Sequence, residues 1–265
     1  MLLNNKYIVL EHISRGQFGE IVKAKHATNY YAIKMGEKNV IKYESMIYKK
    51  LKGVASIPTL YDIFEYNTNI CLVLDYYCKT LQNVKEECFE NNISYVKQII
   101  SYLMELIIII KDIHNKNVIH RDLKPANICL NANNKVFLID FGISKIYKNG
   151  TIHNDETKIS GLLGSVNFSS LNTINLIEPS RRDDIESVLY ILVYMLLPKN
   201  TYIVYNELNI IEKKNIQVNI DFLKTAHSNI DYNIFAKLFN YIRRLKYNQQ
   251  PNYDYLLDLI SKMIY

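Results

Sequence analysis

The side chains best suited to chemistry stand in one string, His120-Arg-Asp122-Leu-Lys124-Pro-Ala-Asn127. A carboxylate, a lysine two residues on and an amide five residues on converge in one loop. Asp122 can accept or orient a hydroxyl proton. Lys124 can neutralise charge on a transferring phosphoryl group, and Asn127 can offer an oxygen to a divalent metal. His120 reads as a packed, hydrogen-bonded core histidine rather than a base. Further on stands Val136-Phe-Leu-Ile139-Asp140-Phe-Gly142, an apolar strand that ends in an acid. Such an acid is usually a turn former. Its place shortly after Asn127 gives it a better role, as a hard oxygen ligand for Mg2+.

Three further features lie upstream. Ile13-Ser-Arg-Gly16-Gln-Phe-Gly19-Glu-Ile21 falls between two predicted strands. Glycines in such a hairpin let backbone N–H groups approach phosphate oxygens; the alternative is an ordinary β-turn. Tyr31-Ala-Ile-Lys34 sets a lysine at the end of an apolar strand. It points a cation into an apolar cleft, or it snorkels to the surface. A buried lysine needs a carboxylate, and Glu44, on a helix with Tyr43, Ile47 and Tyr48, is the candidate. Glu37, in a predicted loop, is the competitor, and a solvated helix face is the plain alternative for Glu44.

The elements that must hold these residues change character along the chain. Tyr7–Ile13, Glu20–Lys25, Tyr30–Met35 and Ile70–Asp75 read as strands, with one helix at Lys42–Lys52. After about residue 92 the pattern is helical: Ser94–His114, Ser180–Leu197, Asn233–Leu245 and Tyr253–Ile264, with a strand at Lys135–Asp140. A link near Tyr76–Thr80 joins a β-rich part to an α-rich part.

With 265 residues, 49% of them apolar, the chain can bury a large core, which excludes disorder as its main state. A net charge of +6 suits an anionic ligand, an acidic protein or nucleic acid without choosing among them. The four cysteines show no paired spacing and read as reduced thiols. The N-terminus lacks signal-peptide character. The apolar runs Leu106–Ile110 and Val188–Leu197 fall short of the ~20 residues that span a bilayer.

Taken in order, the five features resemble a eukaryotic-type protein kinase. The match covers nearly the whole chain. Gly164-Ser-Val-Asn-Phe-Ser-Ser170-Leu-Asn172, then Glu178-Pro-Ser-Arg181-Arg182-Asp183-Asp184-Ile-Glu186-Ser187, is similar to the casein kinase 1 group. Ser170-Leu171-Asn172 stands where most kinases carry Ala-Pro-Glu. Glu44-Ser-Met-Ile-Tyr48, Ile57-Pro58-Thr and the stretch from Arg243 to Leu256 are similar to that group too.

The resemblance implies an α+β, bilobal fold: a small β-rich N-lobe with one main helix, residues 1–77, and a larger helical C-lobe, residues 78–265. It implies ATP and Mg2+ as cofactors. The loop Gly16–Gly19 would cover the phosphates, and Ile13, Ser14, Arg15, Gly16, Gln17, Phe18, Gly19, Glu20 and Ile21 would line the ATP site. Lys34 would meet the α/β-phosphates and pair with Glu44. Leu74 would be the gatekeeper, and Asp75, Tyr77 and Cys78 would lie in the hinge that meets adenine. Ile13, Ile21, Ala32 and Cys129 would sandwich the ring. Asp122 would be the catalytic base, Lys124 the phosphate contact, Asn127 and Asp140 the metal ligands. Asp184 would be a buried structural support for the catalytic loop.

The activity implied is that of a Ser/Thr protein kinase that needs no activating phosphorylation. Its partners would be protein substrates, acidic ones among the candidates. No membrane and no direct nucleic-acid binding is expected. A monomer within the cell, in cytoplasm or nucleus, and without a regulatory tail is the corresponding expectation. Two other readings stand beside it. One is a pseudokinase or scaffold, favoured only by Ser14 at the first glycine position. The other is a small-molecule phosphotransferase, disfavoured by Lys124, Phe141-Gly142 and Ser170–Asn172. Asn167 stands where the group carries an anion-holding arginine, and Lys199 where it carries a tryptophan. The loop from Gly142 to Gly164 holds Thr151, Thr157 and Ser160, whose phosphates could face Arg121.

Overall fold

The computed structural model describes residues 1–16, 19–91 and 95–264, with Asn91 described in its backbone alone. Gln17 and Phe18 of the expected phosphate loop, Ser94 at the expected helix start and the terminal Tyr265 lie outside the described residues.

The N-lobe is a six-stranded antiparallel sheet in the order β1-β2-β3-β4-β6-β5. Its strands are β1 (Leu2–Leu3), β2 (Tyr7–Gly16), β3 (Gly19–His26), β4 (Asn29–Gly36), β5 (Leu60–Tyr66) and β6 (Asn69–Asp75). The helix α1 (Lys38–Lys50) packs against it. Alternation along the strands decides where Lys34 goes. Ile33, Met35, Cys71 and Val73 turn to an outer cluster with Leu3, Tyr7, Val22 and Ala24. Leu72 and Leu74 join the main core with Ile41, Ile47, Tyr48 and Leu51. Lys34 lies between Ile33 and Met35 and pairs in register with Leu72, so it is delivered to the α1 side.

The C-lobe begins with β7 (Lys79–Thr80), α2 (Leu81–Asn91) and α3 (Val96–Asn115). Next come β8 (Val118–Ile119), a 3-10 turn at Pro125–Asn127, β9 (Ile128–Leu130) and β10 (Val136–Leu138). The short strands β11 (Lys145–Ile146), β12 (Lys148–Asn149) and β13 (Ile152–His153) follow. The helices are α4 (Leu171–Ile174), α5 (Arg181–Leu196), α6 (Lys199–Glu207), α7 (Ile210–Lys213), α8 (Ile216–Lys224), α9 (Tyr232–Arg244) and α10 (Tyr253–Ser261). Buried along nearly its whole length, α5 packs on α3, α8 and α9. A helix covered on every side needs no polar face, which explains the run Val188–Leu197. No described helix is long and apolar enough to cross a membrane.

The small strands fix the loops. β9 pairs with both β10 and β7, so the segments flanking residues 120–127 and Asp140 are tied together. β11 pairs back onto β8. The fold is the bilobal one expected, with differences at the edges. α1 starts at Lys38 rather than Lys42, because its N-cap, Glu37, makes no side-chain cap bond and gives no start signal. The last helix stops at Ser261; beyond it Ile264 bridges to Ile230.

Candidate active site

Glu44 lies on the buried stripe of α1 with Ile41, Ile47 and Tyr48 and is wholly inaccessible. A carboxylate so placed needs a cation. Lys34 Nζ stands 2.8 Å from Glu44 Oε2, a contact of charge rather than an aligned hydrogen bond, and donates to Asp140 Oδ1 at 2.7 Å. Burial works against the Lys34 ammonium, but the two carboxylates together raise its pKa above the ordinary value. Burial also pushes Asp140 upward, and Lys34 pulls it below the usual carboxylate range. The competitor Glu37 is exposed at the start of α1. The Phe141 N–H donates to Glu44 Oε1 at 3.2 Å. The Phe141 ring then meets Tyr48 of α1 and His120 edge-on, at 5.2 and 5.0 Å. The helix of one lobe is thus stapled to the loop of the other. His120 is buried and its Nε2 bonds the carbonyl of Ile139, as a core histidine should.

Asp184, the second acid of α5, collects three donors. Its Oδ2 accepts the His120 N–H at 2.8 Å and His114 Nε2 at 2.9 Å, and its Oδ1 accepts the Arg121 N–H at 2.9 Å. His114 Nδ1 in turn meets the Tyr253 hydroxyl of α10 at 2.6 Å. A neutral His114, donating from Nε2 and accepting at Nδ1, satisfies both partners. Its pKa is lowered by burial, in keeping with that neutral state. The clamp sustains an unusual backbone: Arg121 has φ 70° and Asp140 φ 66°. Such left-handed residues cost about 1–3 kcal/mol each and persist only where their surroundings over-determine them. Arg121 is held further by Nε to the Ile143 carbonyl at 2.6 Å and Nη1 to Glu178 at 2.8 Å.

Asp122 is oriented from both oxygens. Lys124 Nζ donates to Oδ2 and the Ser165 N–H to Oδ1, each at 2.8 Å. The approach of Ser165 depends on Gly164, whose φ is +72° and where a Cβ would stand 2.6 Å from the Arg121 carbonyl. The segment is anchored below by Ser170 and Asn172, which donate to Asp183 Oδ1 at 2.6 and 3.0 Å. Asp183 also accepts the Ser180 N–H, closing a capping box on α5. This is the physical content of the Ser170-Leu171-Asn172 element. Asn167 is exposed, and its carbonyl accepts Lys214 Nζ at 2.7 Å.

Where a nucleotide is expected, Ala32 pairs with Leu74 and Ile21 with Lys34 across the sheet. Leu74 is buried. Asp75 spends its carboxylate on Tyr61 and the Thr59 N–H, at 2.8 and 2.7 Å. Tyr77 stacks on Phe137 at 4.5 Å. Ile13, Ser14, Arg15 and Gly16 occupy the exposed end of β2, and Glu20 sits beside His12. Gly19, at φ +131°, lies so close to Met35 that a Cβ would overlap its carbonyl. Cys129 is buried in β9, and burial pushes its thiol up to about 12. Cys78 is exposed. A thiol reagent at pH 7.5 is therefore expected to modify Cys78 first and leave Cys129 intact in the folded protein; peptide mapping after brief labelling checks this.

The residues present fit a nucleotide and a hard cation. Asn127 donates Nδ2 to the Asp122 carbonyl at 2.9 Å, which leaves its oxygen for a metal. Asp140 spends Oδ1 on Lys34 and the Gly142 N–H, leaving Oδ2. Two hard oxygens beside a buried ammonium make a donor set that suits Mg2+ completed by phosphate oxygens. Sequence reasoning missed two supports, His114 and the Ser165 N–H. The resemblance implied Asp184 without a partner on α3, and a backbone donor leaves no signature in residue type.

The model of the protein kinase domain family matches residues 7–265. A probable casein kinase I homolog of Encephalitozoon cuniculi (strain GB-M1) is 29% identical over 273 residues, covering 98% of this chain and 85% of the relative. The solved structure of vaccinia related kinase 3 matches with a TM-score of 0.76 at 16% identity, covering 96% of this chain and 86% of that one, a likeness of fold. Protein kinases as a family use ATP and Mg2+ and act on proteins. The chain belongs to the protein kinase domain family and is casein kinase 1-like within it.

Proposed function

We propose that this protein is a Ser/Thr kinase that transfers the ATP γ-phosphoryl group to protein hydroxyls and is active without prior phosphorylation. One observation carries it: Lys34 is held between Glu44 and Asp140 while Asp122 is aimed by Lys124 and the Ser165 N–H. When bound, MgATP supplies the phosphoryl group and part of the charge neutralisation. Lys34 orients phosphate oxygens. Asn127 and Asp140 hold the metal. Asp122 orients the acceptor hydroxyl and takes its proton, and Lys124 faces the charge that develops on the phosphoryl oxygens. Asp184 positions the loop without touching substrate. The lysine two residues after Asp122 supports Ser/Thr acceptors. We place the protein, as a monomer, in the cytoplasm or nucleus.

Incubation with labelled ATP, Mg2+ and casein tests the reading, and transfer to casein or to the protein itself is expected. Failure of all transfer would favour a scaffold, the reading that Ser14 supports. Arg121, the cation a loop phosphate would seek, is already bonded to Glu178. Phosphatase-treated protein is therefore expected to keep its full rate in this assay. A lost rate restored by incubation with ATP would show that loop phosphorylation is required.

A further inference from the structure

The helix α5 ends at Leu197-Pro198 with no glycine to close it. Its last carbonyls are taken by side chains from elsewhere. Lys85 of α2 donates from Nζ to the carbonyls of Met195, at 3.0 Å, and Leu197. His227 Nε2 bonds the Leu196 carbonyl at 2.7 Å; a carbonyl only accepts, so that nitrogen carries a proton. Lys85 is 1% exposed, and among the described residues its recorded partners are carbonyls and aromatic rings, with no salt bridge to a carboxylate. Burial lowers its pKa to about 7. The charged form is opposed by that burial and supported by the two carbonyls, the negative end of α5 and the faces of Phe89 and Tyr194, at 4.4 and 5.4 Å. An ammonium has three N–H groups, and the two carbonyls use two.

Beside Lys85 lies a cavity of about 160 Å³ between α2, α3 and the α5–α6 connection. Phe89, Val96, Ile99 and Pro198 supply its apolar wall. Lys85, Lys199 and His227 also line it, and no Asp or Glu does among the described residues. A cavity of roughly 150 Å³ holds one six-membered ring. Apolar walls with two lysines among the lining residues and no acid favour an anion with an apolar body over a neutral or cationic guest. None of these residues belongs to the site around Asp122.

We propose that this cavity binds a small organic carboxylate, an aromatic or short aliphatic acid. Its apolar body would lie against Phe89, Val96 and Ile99, with the carboxylate at the remaining N–H of Lys85 and near Lys199.

Isothermal titration with benzoate, and with benzyl alcohol as its uncharged counterpart, tests the assignment. Lys85→Met could unfold the protein by uncapping α5, so two milder variants are used. Lys199→Glu changes an exposed residue at the rim, and Ala226→Phe fills the cavity from its wall. Benzoate should saturate one site and benzyl alcohol should bind about tenfold more weakly, the worth of one charged hydrogen bond. Lys199→Glu should weaken benzoate about threefold, and Ala226→Phe should abolish binding with an unchanged circular dichroism spectrum. Equal binding of the alcohol would make the cavity merely apolar and overturn the proposal. So would benzoate binding that survives Ala226→Phe, or titration that never saturates.

Discussion

Asp122→Asn is expected to lower phosphoryl transfer by roughly 10²–10⁴-fold, the usual worth of a positioned general base, with little change in folding. The asparagine oxygen can keep the Ser165 N–H bond. Its Nδ2 would then face Lys124, where the carboxylate now accepts at 2.8 Å. No acceptor for the hydroxyl proton remains on that side, and Lys124 loses its anchor. Rates with casein, measured beside thermal melting of both proteins, check the prediction. A variant with the parent rate would remove Asp122 from the role of base.

The second large effect concerns stability. Asp184→Ala strands two backbone N–H groups and a buried imidazole at once, and frees a loop that holds Arg121 at positive φ. A loss of about 3–5 kcal/mol is expected, as for breaking other buried charged networks. Asp184→Asn, which keeps an acceptor oxygen, should lose less. Urea unfolding of the three proteins measures the difference. The acid side adds a signature. Burial pushes the Asp184 carboxyl up, but the hydrogen bond from His114 and the backbone N–H of His120 hold it below its ordinary value. Such a group contributes stability that is present above the unfolded value near ~3.9 and lost as pH falls through the folded value. His114, kept neutral by burial, acts in a higher window. The unfolded chain takes up its proton near ~6.5 while the folded one resists, so stability also declines as pH drops below that point. The parent should show both declines. Asp184→Ala should lose the contribution of its carboxylate while the histidine's persists.

Much of the site was legible because phosphoryl chemistry demands particular side chains at fixed spacings. Asp122, Lys124, Asn127 and Asp140 lie on loops between short strands, and their types alone announce them. Lys34 and Glu44 were weaker signals, since each had an ordinary surface explanation; only burial on facing elements decides it. Supports made by backbone or by buried lysines were not legible. The Ser165 N–H has no residue type to mark it, and Lys85 and Lys214 look like any surface lysine until their carbonyl partners are seen. Fold edges failed for similar reasons. β5 carries Asp62 and Glu65 and a register shift near its start, which breaks the strand pattern. The helices between Lys199 and Lys224 are short and mixed in polarity, so periodicity had little to work on.

Lys34 also has a consequence for how the lobes move. Its single nitrogen reads a helix of one lobe and a turn of the other at the same moment. It works as a coincidence detector. If α1 swings away, Glu44 leaves its counter-ion and the Lys34–Asp140 contact remains as a half signal. If the Asp140 turn leaves instead, the Lys34–Glu44 contact is the half that survives. The joint registers only when both partners arrive, so the lobes are geared to one another through a shared charge as well as through the Phe141 contacts with α1.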